Sequence, residues 1–194
     1  MIAIIDYRIG NLRSVMNALT RLGADFVLTS DPEEIHRASH VLLPGVGNAA
    51  EAMNNLHSSG LVSTILELRK PVLGICVGMQ VMCRHSAEGD VDCMGIFDTS
   101  VLKFEASREL KVPHTGWNVI ENLEGKLFKG VESGSFVYYV HSFYACLCPD
   151  TVATTRHGVL YSAALRYENF YGVQFHPEKS GEIGERILKN FLEI

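Results

Sequence analysis

A cysteine between two glycines, Gly74-Ile75-Cys76-Val77-Gly78, closes the apolar run that begins at Pro71-Val72-Leu73. The spacing is that of a nucleophile elbow, a sharp strand-to-helix turn that holds a nucleophile in a strained conformation and needs small neighbours to be sterically possible. A thiol there faces the positive end of a helix dipole, which favours the attacking thiolate. The segment alone leaves a second reading open, an inert core cysteine at the end of a hydrophobic strand. Far downstream, Phe170-Tyr171-Gly172-Val173-Gln174-Phe175 reads as another short strand and runs into His176-Pro177-Glu178. Residues two apart share a face in extended chain, and Pro177 keeps the stretch out of a helix, so His176 and Glu178 are expected side by side. A thiol nucleophile needs an imidazole to take its proton, and that imidazole needs an acceptor on its other nitrogen. Cys76, His176 and Glu178 supply these roles. Without the elbow, the same His-Pro-Glu would read as a surface turn.

Bringing these groups together requires strands that end on one edge. Residues 1–5 form an apolar strand, and residues 11–22 place Leu12, Val15, Met16, Leu19 and Leu22 on one helical stripe closed by Gly23. Residues 26–29 repeat the strand, and Asp31-Pro32-Glu33-Glu34 opens a short helix with a cap, a proline in the first turn and acidic residues behind it. Residues 41–43 are a third strand. After the Gly45-Val46-Gly47 loop, a helical stretch runs to about Arg69 with a break near Gly60, and the strand ending at Cys76 follows. This alternation predicts an α/β fold with a mostly parallel central sheet flanked by helices. Past the elbow helix, residues 101–104, 112–120, 136–147, 152–155 and 160–166 read as short strands, an added strand-rich second half. Ile183, Ile187, Leu188, Phe191 and Leu192 then predict a closing amphipathic helix.

Open α/β sheets place their ligands beyond the carboxyl ends of the strands, where Gly45-Val46-Gly47 and Cys76 both fall. Two glycines so close together let backbone N–H groups approach a ligand, so Val46 and Gly47, with Val77, are candidate oxyanion donors; a plain structural turn is the other reading.

The 194 residues carry no linker or repeat and are expected to form a single domain spanning 1–194. Their formal charge of −5, without a Lys/Arg cluster, excludes a nucleic-acid surface. No apolar stretch approaches the roughly 20 residues of a membrane span, and no signal peptide opens the chain, so a cytoplasmic location is expected. Cys76, Cys83, Cys93, Cys146 and Cys148 show neither disulfide-framework nor zinc spacing. Neither a metal nor a cofactor is expected.

Together the elbow, extended to Met79-Gln80, and His176-Pro177-Glu178 resemble the class I, triad-type glutamine amidotransferases. Further segments are similar to the glutaminase subunits of imidazole glycerol phosphate synthases: Ile5-Asp6-Tyr7-Arg8-Ile9-Gly10-Asn11-Leu12-Arg13-Ser14-Val15, Leu43-Pro44-Gly45-Val46-Gly47, Val112-Pro113-His114-Thr115-Gly116-Trp117-Asn118, Tyr138-Tyr139-Val140-His141-Ser142-Phe143-Tyr144 and Gln174 to Gly181. The likeness spans essentially the whole chain. It departs at Arg8, where glycine is usual, at Asn48, beside the usual place of an aromatic, and at Thr115, where methionine is common.

The resemblance implies a flavodoxin-like amidotransferase fold and hydrolysis of L-glutamine to glutamate and ammonia through a cysteinyl thioester. It implies substrate contacts from Gly45, Gln80, His141, Ser142 and Phe143. It also implies a heterodimer with a (β/α)-barrel cyclase subunit, which uses the ammonia in histidine biosynthesis, with Asn11, Trp117, Tyr138 and Lys179 at the interface and ammonia gate. Three other readings share the fold: a glutaminase serving a different synthase, such as a sugar-amidating enzyme, a non-catalytic regulatory module, and a cysteine peptidase. Copurification separates the first. Retention of Cys76, His176 and Glu178 together argues against the second, and the His-Pro-Glu ending does not call for the third.

Overall fold

A computed structural model describes residues 1–8, 11–108 and 110–194, so Ile9 and Gly10 of the N-terminal segment lie outside the described residues. The first half alternates as expected: β1 (Ile2–Ile5), α1 (Leu12–Arg21), β2 (Phe26–Thr29), α2 (Pro32–Arg37), β3 (His40–Gly45), α3 (Ala49–Ser58), α4 (Leu61–Glu67) and β4 (Val72–Cys76). Local chemistry sets these boundaries. Asp31 accepts from the Glu33 N–H to cap α2, and Asn48 accepts from the Ala50 and Glu51 N–H groups to cap α3, which accounts for an asparagine at that departure from the family pattern. Gly60, with φ of 68°, separates α3 from α4. Arg8 has φ of 66°, a backbone that glycine adopts without strain, so this departure keeps the conformation and changes only the side chain.

After the one-turn α5 (Val77–Gln80) come β5 (Cys83–Ser86), β6 (Val91–Asp92), β7 (Phe97–Lys103), β8 (His114–Ile120), β9 (Ser135–His141), β10 (Phe143–Ala145), β11 (Thr151–His157), β12 (Val159–Tyr167), β13 (Phe170–Val173) and α6 (Gly181–Leu192). The main sheet has the order β11-β12-β13-β4-β3-β1-β2, parallel from β13 to β2 and closed on its other side by antiparallel β12 and β11. β1 and β4 are buried throughout, as strands covered on both faces must be. A four-stranded sheet, β10-β7-β5-β6, and the β8-β9 pair complete the fold. No helix among the described residues is long and apolar enough to cross a membrane.

Two expectations need correction. Residues 136–147 are not one strand. The chain leaves β9, paired with β8, and at Ser142 passes to β10, paired with β7. β5 and β6 have no counterpart in the sequence pattern, because Cys83-Arg84-His85-Ser86 lacks an apolar alternation and is recruited by pairing with β7.

Candidate active site

β4 turns into α5 at Cys76, whose φ of 55° and ψ of −113° are strained for any residue but glycine. What makes the turn possible is missing side-chain volume. A Cβ on Gly78 would lie 1.8 Å from the Leu43 carbonyl oxygen, and one on Gly74 2.7 Å from the Gly78 backbone. On the neighbouring strands, a Cβ on Gly172 would meet Met79 Cγ at 2.4 Å, and one on Gly45 the Gly78 nitrogen at 2.6 Å. The elbow therefore sits on glycines from β3, β4 and β13. α5 is a single turn, so its dipole is small and the thiol depends on its side-chain neighbours for activation.

His176 follows β13, which lies beside β4, and its N–H donates to the Tyr138 carbonyl at 2.9 Å. Pro177 does not keep the chain extended as expected. It opens a 3-10 turn, Pro177–Lys179, as a proline with a preset φ readily does in a first turn. The side chains meet nonetheless: His176 Nδ1 lies 2.8 Å from Glu178 Oε1, with both side chains 1% exposed. A carboxylate only accepts, so Nδ1 carries the hydrogen and Nε2 is the atom available to the thiol. Nε2 has no hydrogen-bond partner among the described residues. Burial alone would lower the His176 pKa, but the adjoining Cys76 and Glu178 outweigh it and raise it to about 10. Ser180 Oγ braces the turn by donating to the His176 carbonyl at 2.6 Å and accepting from the Tyr138 N–H at 2.9 Å.

Cys76 opens onto a cavity of about 300 Å³, lined by Val46, Gly47, Val77, Gln80, His141, Ser142 and Phe143 among the expected residues. Gly45 does not line it; it pairs with Cys76 across β3 and β4 and packs beneath the elbow. The Phe143 carbonyl organises one wall, accepting from His141 Nδ1 at 2.7 Å and from Gln80 Nε2 at 3.0 Å. Burial pushes the His141 pKa down to about 3, so the ring is neutral and its Nε2 accepts, within reach of His114 Nδ1 at 3.2 Å and the Tyr161 hydroxyl at 3.3 Å.

Glu88 also lines this cavity and escaped the sequence reading, since no spacing marks it. It belongs to the turn after β5, and its Oε2 accepts from the Ala49 N–H at 2.9 Å, so only the approach of α3 to that turn aims it at the site. Burial raises its pKa, against the Ala49 N–H and the charge of Lys103.

Behind His176 and Glu178 a small gap is lined by Asn11, Pro44, Val46 and Ile75. Outside the histidine, the β8-β9 pair presents Trp117, 55% exposed, edge-on to Tyr138 at 6.0 Å, with Lys179 Nζ 5.8 Å from the Tyr138 ring. Thus Asn11 borders the gap, while Trp117, Tyr138 and Lys179 form one surface patch. Among the described residues no cluster of three His, Cys, Asp or Glu side chains could hold a metal. His36 and His40 stand four apart in the chain but are divided between α2 and β3.

The sequence profile described as "Glutamine amidotransferase class-I" matches residues 3–194. The chain belongs to this family. Class I glutamine amidotransferases that resemble it over its whole length include the imidazole glycerol phosphate synthase subunit HisH of Bacteroides fragilis strain YCH46, 55% identical, with 100% of this chain and 99% of that one covered. The subunit HisH of Bacillus cereus ATCC 10987 is 48% identical, with 98% and 93% covered. Among solved structures, a glutamine amidotransferase from Thermotoga maritima superposes with a TM-score of 0.63 at 20% identity, covering 99% of this chain and 82% of its own, which shows the amidotransferase fold.

Proposed function

We propose that this chain is the glutaminase subunit of an imidazole glycerol phosphate synthase, hydrolysing L-glutamine at Cys76 and passing the ammonia to a (β/α)-barrel cyclase subunit. The observation that carries the reading is the strained Cys76 elbow beside the His176–Glu178 pair, at the floor of a cavity with an acidic wall. Relatives at this identity are named as subunits of that synthase.

Glutamine enters with its α-ammonium toward Glu88, and its carboxamide carbon toward Cys76. The sulfur attacks that carbon, and the oxyanion takes hydrogen bonds from backbone N–H groups of Val77 and the Val46-Gly47 loop. As the C–N bond breaks, His176 Nε2–H protonates the departing nitrogen and ammonia forms. Water then attacks the thioester, giving its proton to His176. The C–S bond breaks, glutamate leaves, and the thiolate and imidazolium return. Glu178 holds the ring in the required tautomer throughout.

His176 must bring a proton into the reaction, and in the free enzyme its pKa stands at about 10 rather than the ordinary 6.5. A raised pKa means that the proton is held below the folded value and lost as pH climbs through it. The glutaminase rate should therefore persist well above pH 6.5 and fall on an alkaline limb near pH 10. Glu178→Gln should move that limb to lower pH and cut turnover by about 10²- to 10⁴-fold. A limb unmoved in Glu178→Gln would remove Glu178 from this role.

Ammonia in water at neutral pH is mostly protonated and no longer nucleophilic, so its release is useful only along a shielded path. The gap behind His176 and Glu178, bordered by Asn11, is the exit we assign; it is too narrow for a water-sized molecule in this structure, so it must widen for ammonia to pass. The Trp117, Tyr138 and Lys179 patch is where the cyclase docks, an exposed aromatic anchor of the kind that dominates interfaces. The Tyr138 carbonyl accepts from the His176 backbone N–H, so displacing β9 shifts the backbone that carries the catalytic ring. Glutaminase activity should be weak alone and strongly stimulated by the cyclase with its nucleotide ligand. High activity that the cyclase leaves unchanged would contradict the gating.

A further inference from the structure

Cys76 has two polar neighbours besides His176: the Val140 carbonyl, 4.0 Å from its sulfur, which accepts from the thiol form, and the side chain of Gln174, which donates to the sulfur. Gln174, just past the end of β13, is fully buried, and its side-chain nitrogen lies 3.6 Å from Cys76 Sγ. An amide can ordinarily be placed in either of two flips, and the hydrogen-bond network must choose. Here a single backbone carbonyl chooses. Phe143 O can only accept, so the Gln80 atom 3.0 Å from it is the amide nitrogen. The same nitrogen lies 2.9 Å from Gln174, whose facing atom must then be the carbonyl Oε1. Only the Gln174 NH₂ remains to face the sulfur. Flipping Gln174 would set donor against donor, and flipping Gln80 would set acceptor against acceptor, in a buried site where an unmade hydrogen bond is costly. The backbone of Gln174 is fixed as well, its N–H donating to the Ala163 carbonyl at 2.8 Å.

We propose that Gln174 is a catalytic donor to the Cys76 sulfur, its amide locked in the donating orientation by the Phe143 carbonyl acting through Gln80. The proposal rests on the reading of Cys76 as the nucleophile. A hydrogen bond to the charged form of an acid favours that form, so an N–H aimed at the sulfur favours thiolate over thiol. It acts again in deacylation: as water attacks the thioester and the C–S bond breaks, the electron pair returns to a sulfur already facing a donor. Because the relay begins at Phe143, in the wall of the glutamine cavity, it also ties the shape of that wall to the state of the thiol. Both Gln80 amide hydrogens are engaged in the relay, which leaves its carbonyl oxygen as the atom that can meet substrate.

The test is the rate of Cys76 alkylation by iodoacetamide as a function of pH, read by peptide mass spectrometry, in wild type and in Gln174→Met, which keeps similar volume without a donor. Gln174→Met should slow alkylation at neutral pH by about tenfold, the scale of one charge-assisted hydrogen bond. Its profile should move to more alkaline pH and reach the wild-type rate where the thiol is fully ionised. A residue that only shaped the site would change the rate at every pH. A profile that coincides with wild type in folded Gln174→Met overturns the proposal. If circular dichroism shows Gln174→Met unfolded, Gln80→Met takes its place, since it frees the Gln174 amide to flip; the same displacement is expected, and a coincident profile overturns the relay. Absence of selective labelling at Cys76 in wild type would overturn the nucleophile itself, whereas selective labelling with unchanged variants overturns only Gln174.

Discussion

Replacing Cys76 by alanine should lower glutaminase turnover by at least about four orders of magnitude, the range seen when a nucleophile is removed from a catalytic triad. Stability should report the elbow separately. Alanine at φ of 55° and ψ of −113° retains the strain that cysteine bears, whereas glycine occupies that region freely. Cys76→Gly should therefore be equally inactive yet more stable than Cys76→Ala by about 1–3 kcal/mol, read from urea denaturation midpoints. Equal midpoints would mean that the turn is not strained. Residual turnover within tenfold of wild type in either variant would mean that another group attacks.

The second large effect belongs to Gly78. Its missing Cβ is where the Leu43 carbonyl oxygen lies, at 1.8 Å, and both partners are backbone of packed elements, so neither can yield. Gly78→Ala should cost about 3–5 kcal/mol, the tail reserved for steric conflict in a core, and should abolish turnover by displacing Cys76. Gly47→Ala is the control. Gly47 has φ of 96°, but a Cβ there would meet nothing within 4 Å, so only backbone strain of about 1–3 kcal/mol is added. If thermal unfolding showed Gly78→Ala no less stable than Gly47→Ala, the close packing of α5 on β3 would be wrong.

What could be read in the sequence follows from how local each signal is. Cys76 with its flanking glycines, and His176-Pro177-Glu178, are patterns within a few residues of chain, and the first half announces its strands and helices through caps, periodicity and glycine breaks. The route by which His176 and Glu178 meet was read wrongly, since Pro177 opens a tight turn, although the pair still forms at 2.8 Å. Glu88 had no local signal, and Gln174, although it opens a segment that resembles the family, had none for its contact with the sulfur. Gln174 reaches the sulfur only because β13 lies beside β4, and Glu88 reaches the cavity only because the turn after β5 meets the start of α3. The reading of residues 136–147 as one strand failed for the same reason: Ser142 interrupts nothing in the apolar pattern, yet the chain changes partners there, from β8 to β7. Gly45 and Gly172 likewise look like ordinary strand residues until α5 is laid against them.

On the proposed mechanism Cys76 forms the covalent intermediate with glutamine. The most direct measurement is to incubate the chain, with its cyclase present, with a diazo-ketone analogue of glutamine and to map the adduct by mass spectrometry. A single adduct on Cys76, prevented by excess glutamine and matched by loss of glutaminase activity, is the expected result. An adduct on Cys83, Cys93, Cys146 or Cys148 instead, or inactivation with Cys76 unmodified, would contradict it.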